Sequence, residues 1–162
     1  MDRQFVTFKL GDDTFGIDIL LVREINRNMD ITAVNRCPDF VSGLLNLRGQ
    51  VVTVLDLAVR LGIQGQEERK HPSCVVLKTS SEVERNPMLA HYTDKMPSDL
   101  VGLLVDEIGD VISVENTEIE PPAIHSSGVA SKFIEGVAKL EKHLLIILRV
   151  AHIVAVEHLA EA

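Results

Sequence analysis

Tryptophan is absent from this chain, tyrosine occurs once, and aromatics make up only 4% of its 162 residues. Stacking platforms for bases or sugars need aromatic faces, so their scarcity argues against that kind of ligand. Positive charge is also in short supply. The 16 Lys and Arg stand against 24 Asp and Glu, giving a net charge of −8. Nucleic acid and anionic membrane surfaces both require concentrated Lys and Arg, so the balance argues against them as partners. The densest basic group, Glu67-Glu68-Arg69-Lys70, is mixed in sign. Cysteine is limited to Cys37 and Cys74, without CxxC spacing. Such a pair makes neither a disulfide framework nor a zinc site, and it fits a reduced, cytoplasmic setting. The start, Met1-Asp2-Arg3-Gln4-Phe5, lacks the regions of a signal peptide. No apolar run reaches the roughly 20 residues of a membrane helix. Leu144 to Val156 comes nearest, and Arg149 and His152 interrupt it. Direct membrane insertion is therefore not expected.

What is plentiful is aliphatic. The chain is 46% hydrophobic, dominated by Val, Ile and Leu, a composition that favours sheet cores. Its length suits one domain or two small lobes sharing a core. Phe5 to Leu10 reads as a strand, Gly11-Asp12-Asp13 as a hairpin turn, and Thr14 to Asp18 as the return strand. Ile19 to Ile25 fits either a short helix capped by Asp18 or a continued strand. Asp30 to Asn35 reads as a short strand. Ser73 to Lys78, Leu100 to Val105 and Val111 to Val114 read as further strands, the last two joined by a turn at 106–110. Phe133 to Leu140 and Leu144 to Val150 form a final hairpin, and Ala151 to Ala160 a closing helix. Gln64 to Pro72 and the connector Glu118 to Gly128 read as loops. Thr79 to Ser98 is polar, carries Pro87 and Pro97, and shows no periodicity; loops of that length are often functional. Short strands with few helices predict a mainly β fold of barrels or a sandwich. An internal echo suits two related lobes: Phe15-Gly16-Ile17 resembles Val101-Gly102-Leu103, and Arg23-Glu24-Ile25 resembles Asp106-Glu107-Ile108.

The most informative stretch runs from Val41 to Leu57. Pro38 occupies a first helical position, and Phe40, Val41, Leu44, Leu45 and Leu47 form an apolar stripe. The spacing predicts a helix that Gly49 ends with a left-handed cap. Gln50 to Leu57 then reads as a strand covered on both faces. Asn46-Leu47-Arg48-Gly49 at this junction resembles the signature of the CheW family, the coupling proteins of bacterial chemotaxis. Gly16-Ile17-Asp18-Ile19-Leu20 with Val22-Arg23-Glu24-Ile25 resembles the family's first hairpin. Gly102-Leu103-Leu104-Val105-Asp106 with Gly109-Asp110-Val111 resembles its glycine-acid hairpin, and Leu144-Ile146-Ile147-Leu148 its ending. The blocks follow in order from about Phe5 to Leu159, over nearly the whole chain.

The resemblance implies a single domain over 1–162, built as two intertwined five-stranded, SH3-like β-barrel lobes with a hydrophobic seam, short helices and a C-terminal helix. It implies a non-catalytic adaptor without metal or cofactor. Its partners would be the regulatory domain of the CheA histidine kinase and the cytoplasmic helical hairpin of chemoreceptors, in arrays at the inner face of the membrane. Carried over, Val22, Glu24, Ile25, Gly43, Asn46, Leu47, Arg48, Gly49 and Val105 would form the receptor-binding set. Gly16, Asp56, Gly102 and Asp106 would be structural. Glu24 and Arg48 are expected to pair at the mouth of the seam. The 79–98 loop departs from the family's compact hairpin there.

Blander roles compete at several positions. Asp56 caps the turn Leu57 to Leu61 more readily than it contacts a partner. Asp106 and Glu107 read as a solvated pair rather than a general acid and base. Cys37 reads as a structural thiol rather than a nucleophile. His143, His152 and His158 lack metal-ligand spacing. Gly43, Gly49, Gly62 and Gly65 make no phosphate cradle. The rival classes are a small nucleic-acid-binding barrel, which the charge of −8 opposes, and a hydrolase, for which no triad can be assembled. A scaffold of a non-flagellar chemosensory pathway is a variant of the leading reading.

Overall fold

The structure is a computed structural model that describes residues 2–27, 30–63, 71–122 and 128–155. Most of the expected 64–72 loop, part of the 118–128 connector and the end of the closing helix lie outside those residues. Strands dominate: β1 (Asp2–Leu10), β2 (Asp13–Asp18), β3 (Val22–Asn26), β4 (Val41–Leu47), β5 (Gln50–Asp56), β6 (Ser73–Leu77), β7 (Val101–Val105), β8 (Glu107–Glu115), β9 (Ile119–Glu120), β10 (Ile134–Lys139) and β11 (Leu144–Leu148). Three short helices accompany them: α1 (Leu57–Leu61), α2 (Ser80–Glu84) and α3 (Val150–Val154).

The strands form two sheets. One has the order β8-β1-β2-β11-β10-β9, the other β3-β6-β7-β5-β4. The second sheet is one uninterrupted stretch of chain, inserted between β2 and β8 of the first. The two share a plan. β11 pairs parallel with β2 and antiparallel with β10, just as β5 pairs parallel with β7 and antiparallel with β4. Both antiparallel pairs carry a bulge at the same place, Ile134/Gly136 in one and Val41/Gly43 in the other. In register, Gly16 opposes Ile147 and Gly102 opposes Val54, while Gly136 and Gly43 oppose those same two residues. Gly16 and Gly102 are thus counterparts, and β3 answers β8. The sequence echo falls on these equivalent strands.

Each repeat brings the segment after its edge strand, β3 or β8, back against β4 or β10. Thr32 and Leu44 exchange two backbone hydrogen bonds of 2.8 Å, and β9 pairs Glu120 with Val137. Glycine makes this approach possible. A Cβ on Gly43, which sits at φ +149, would stand 2.2 Å from the Thr32 carbonyl oxygen. On Gly136 it would stand 2.8 Å from that of Glu120.

Apolar burial occurs in three places. Each sheet wraps a small interior, Phe5, Leu145 and Ile147 in one and Leu45, Val52, Val54 and Val76 in the other. The larger core lies between the sheets and joins Phe8, Phe15, Ile17, Ile146 and Leu148 to Leu55, Val75, Leu103 and Val105.

Several local expectations change. Val41–Leu47 is a strand, not a helix. Val41, Gly43, Leu45 and Leu47 turn inward while Asn46 is exposed, a period of two that a short apolar run does not separate from helical spacing. Arg48 and Gly49 both hold positive φ, +51 and +85, the combination of a two-residue type I′ hairpin turn. The glycine therefore closes a hairpin rather than capping a helix. Ile19–Leu21 is a 3-10 turn, and its N-cap Asp18 accepts from Leu20 N, after which the chain continues as β3. Asp30 to Asn35 forms only the Thr32 bridge. β7 and β8 do not make a hairpin, because they belong to different sheets. Asp106 bends the chain between them and is only 5% exposed, so it is not half of a solvated pair. Its Oδ2 accepts from Gly11 N at 3.2 Å. Thr79 to Ser98 is not featureless either. Thr79 and Glu82 form a capping box that starts α2, and Val83, Leu89 and Met96 are buried in the inter-sheet core.

Candidate functional site

β3 and β4 are the two edges of the five-stranded sheet, and side chains bridge them. The β4–β5 hairpin tip is what reaches across. Asn46 Oδ1 accepts from Gly49 N at 3.0 Å, which fixes the turn and aims Arg48 back at β3. There the Arg48 guanidinium pairs with Glu24. The neighbouring Arg23 donates to Gln50 Oε1 and Glu82 Oε1, both at 3.3 Å. Charges thus lace the two edges of one sheet, not the seam between the lobes where the pair was expected; two of them come from the expected set and two, Arg23 and Glu82, from outside it. The Arg48 side chain is 67% exposed and that of Glu24 25%, so the pair sets register at a wet rim more than it stabilises the fold. Ile25 (38% exposed) and Val51 (59%) are apolar surface on the same sheet.

The structure divides the remaining expected residues. Asn46, Arg48 and Gly49 are exposed at the hairpin tip, and Val22 is half-buried against the inter-sheet core. Gly43 lies under Thr32. Leu47 is 6% exposed and Val105 0%, so these three shape the sheet from inside and present no side chain to a partner. Asp56 caps α1 by accepting from Val59 N. Neighbouring side chains leave little room at Gly16 and none at Gly102. A Cβ on Gly16 would meet Leu145 at 3.1 Å, and one on Gly102 would meet Cys74 Sγ at 2.3 Å.

A concavity of about 1070 Å³ opens between the six-stranded sheet and the 79–98 segment. It went unnoticed in the sequence because its members are far apart along the chain. Arg3 pairs with Glu135 at 2.6 Å and Asp18 at 3.0 Å. Arg149 holds Asp94 through two bonds of 2.9 Å, and that bonding keeps the Asp94 carboxyl below its usual range. Burial, reinforced by Asp94, raises the Tyr92 phenol. These charges serve one another. Elsewhere, burial first and Glu24 second push the Cys74 thiol up to about 12. Cys37 donates its thiol to the Val34 carbonyl at 3.1 Å. Among the described residues no group of three His, Cys, Asp or Glu is placed to hold a metal, and no helix is long and apolar enough to cross a membrane.

The CheW-like domain model matches residues 4–158. The chain belongs to the CheW-like family. It is 29% identical over 158 residues to the chemotaxis protein CheW of Klebsiella aerogenes, covering 98% of this chain and 85% of that one. It is 29% identical over 147 residues to the probable chemotaxis protein CheW of Rhizobium etli, covering 91% and 84%. The crystal structure of the scaffolding protein TtCheW from Thermoanaerobacter tengcongensis superposes with a TM-score of 0.79 at 27% identity, over 97% of this chain and 90% of that one. The two lobes, mainly β with few short helices, are those of the CheW fold.

Proposed function

We propose that this CheW-like protein is a non-catalytic adaptor that couples the cytoplasmic tips of chemoreceptors to the CheA histidine kinase. The observation that carries the reading is the Glu24–Arg48 pair bridging the two edges of the five-stranded sheet, with Ile25 and Val51 exposed on that sheet. A receptor tip is a helical hairpin, which docks through apolar anchors and a few charges that fix its register. In this reading Ile25, Glu24 and Arg48 touch the receptor. Gly43, Leu47 and Val105 act indirectly by holding the strands. Affinity is modest, and repetition in an array at the inner face of the membrane supplies the rest. Membership in the family supports a role in chemotaxis, and the net charge of −8 disfavours the nucleic-acid alternative.

The test is co-elution of the protein with a receptor cytoplasmic tip and the CheA regulatory domain. Wild type is expected to hold both; Arg48→Ala is expected to lose the receptor and keep the kinase. A Glu24→Ala/Arg48→Ala cycle on receptor binding should return a coupling of about 0.2–1 kcal/mol, the range of exposed pairs. Zero coupling would detach the pair from the interface. Failure of wild type to bind either partner would end the adaptor reading.

A further inference from the structure

The guanidinium of Arg60, on α1, stands 4.8 Å from the Phe40 ring centre and 4.9 Å from that of Phe133. Its Nε donates to the Ile153 carbonyl at 2.9 Å. The internal repeat relates these partners to one another. Phe40 precedes β4 and Phe133 precedes β10, the equivalent strands of the two lobes. The Phe40 carbonyl accepts from Asp56 N, and the Phe133 carbonyl accepts from Arg149 N. Counting on from Asp56 and Arg149, Ile153 on α3 is the counterpart of Arg60 itself. One cation therefore lies between two equivalent rings and reaches the backbone of its own equivalent. The site is single because the other lobe supplies Ile153, which is 0% exposed. Arg60 is half-buried, and this burial lowers its pKa from the usual guanidinium value; cation–π attraction strengthens as water is excluded. Arginine suits it because a planar guanidinium stacks on ring faces and still donates in its own plane.

We propose that Arg60 is a positioning residue that fixes the angle between the two lobes, and with it the angle between partners seated on them. The second half rests on the adaptor reading; the first does not. Spin labels at Val51→Cys and Lys142→Cys, in a Cys37→Ser background, report the inter-lobe distance by pulsed dipolar spectroscopy on the full chain. The expected result is a narrow distribution with Arg60 present and a clearly broader one in Arg60→Ala. Phe133→Leu, which removes one ring but keeps apolar volume, should broaden it too. In a reconstituted array, binary affinities for receptor tip and kinase domain should stay unchanged in Arg60→Ala. Receptor-dependent kinase stimulation should fall about tenfold, within the usual range of coupling terms. An equally narrow distribution in the variants overturns the proposal. So does a loss of binary affinity as large as the loss of stimulation, which would mark a merely structural role. If Arg60→Ala does not fold, Phe133→Leu decides on the same criterion. If wild type binds neither partner, the adaptor reading fails while the distance comparison still decides the clamp.

Discussion

A Cβ at position 102 would stand 2.3 Å from Cys74 Sγ and 3.3 Å from Val52 Cγ1. Gly102→Ala should therefore cost about 1–3 kcal/mol, as overpacking a filled core does. Cys74→Ala in the same chain should return part of that loss, because it removes the nearer obstacle. Chemical denaturation of the single and double variants checks this, and strictly additive effects would refute it. Gly43→Ala has no such remedy, because the obstacle is the Thr32 backbone and the φ of +149 is itself hostile to a side chain. In the sequence Gly102 shows as an echo of Gly16, and Gly43 only through the family resemblance. What each one makes room for, Cys74 on β6 or the Thr32 backbone, lies on a different segment of the chain. The Glu24–Arg48 pair was legible because both residues fall in family blocks. Arg23 and Glu82 were not, since their meeting depends on where an unpatterned segment folds back.

The element that most departed from expectation is the 79–98 segment. Its polar composition suggested surface loop, yet a few apolar residues, Val83, Leu89 and Met96, reach the inter-sheet core. Thr79 and Glu82 carried the capping signal that could have revealed α2. The segment is tied to the other sheet's end by Asp94 and Arg149. Because Asp94's folded pKa lies below its ordinary 3.8, this bond contributes its full stability above the ordinary value. That stability is lost as pH falls through the lower folded value. Arg149 is 42% exposed, so water screens the pair, and Asp94→Asn should cost no more than about 1 kcal/mol at neutral pH. Thermal melts of wild type and Asp94→Asn should converge in strong acid; a constant gap down to that range would refute the assignment. β4 teaches a different lesson. Inward positions 41, 45 and 47 satisfy both periods, and only the bulge at Gly43 and the positive φ at Arg48 decide for a strand.

At the scale of the molecule, the two sheets bury more apolar residues against each other than inside themselves. Apart, each sheet would keep only its small interior and lose the larger shared core. A single cooperative transition is expected, with calorimetric and van't Hoff enthalpies equal; two separable heat-absorption peaks would show independently stable lobes. The mainly β class and the repeat were visible in composition and in the glycine echo, whereas the nesting of one sheet inside the other was not, because it depends on which ends of the chain pair. That nesting imposes an order on biosynthesis. β2 needs β11, a partner that begins at Leu144, whereas every strand of the inner sheet precedes Asp106. A ribosome adding about 5–20 residues per second releases the inner sheet whole while the first hairpin still lacks its neighbours. At that pace Phe5, Phe8 and Phe15 wait on the order of ten seconds for the strands that cover them, so the hairpin made before the inner sheet is protected after it.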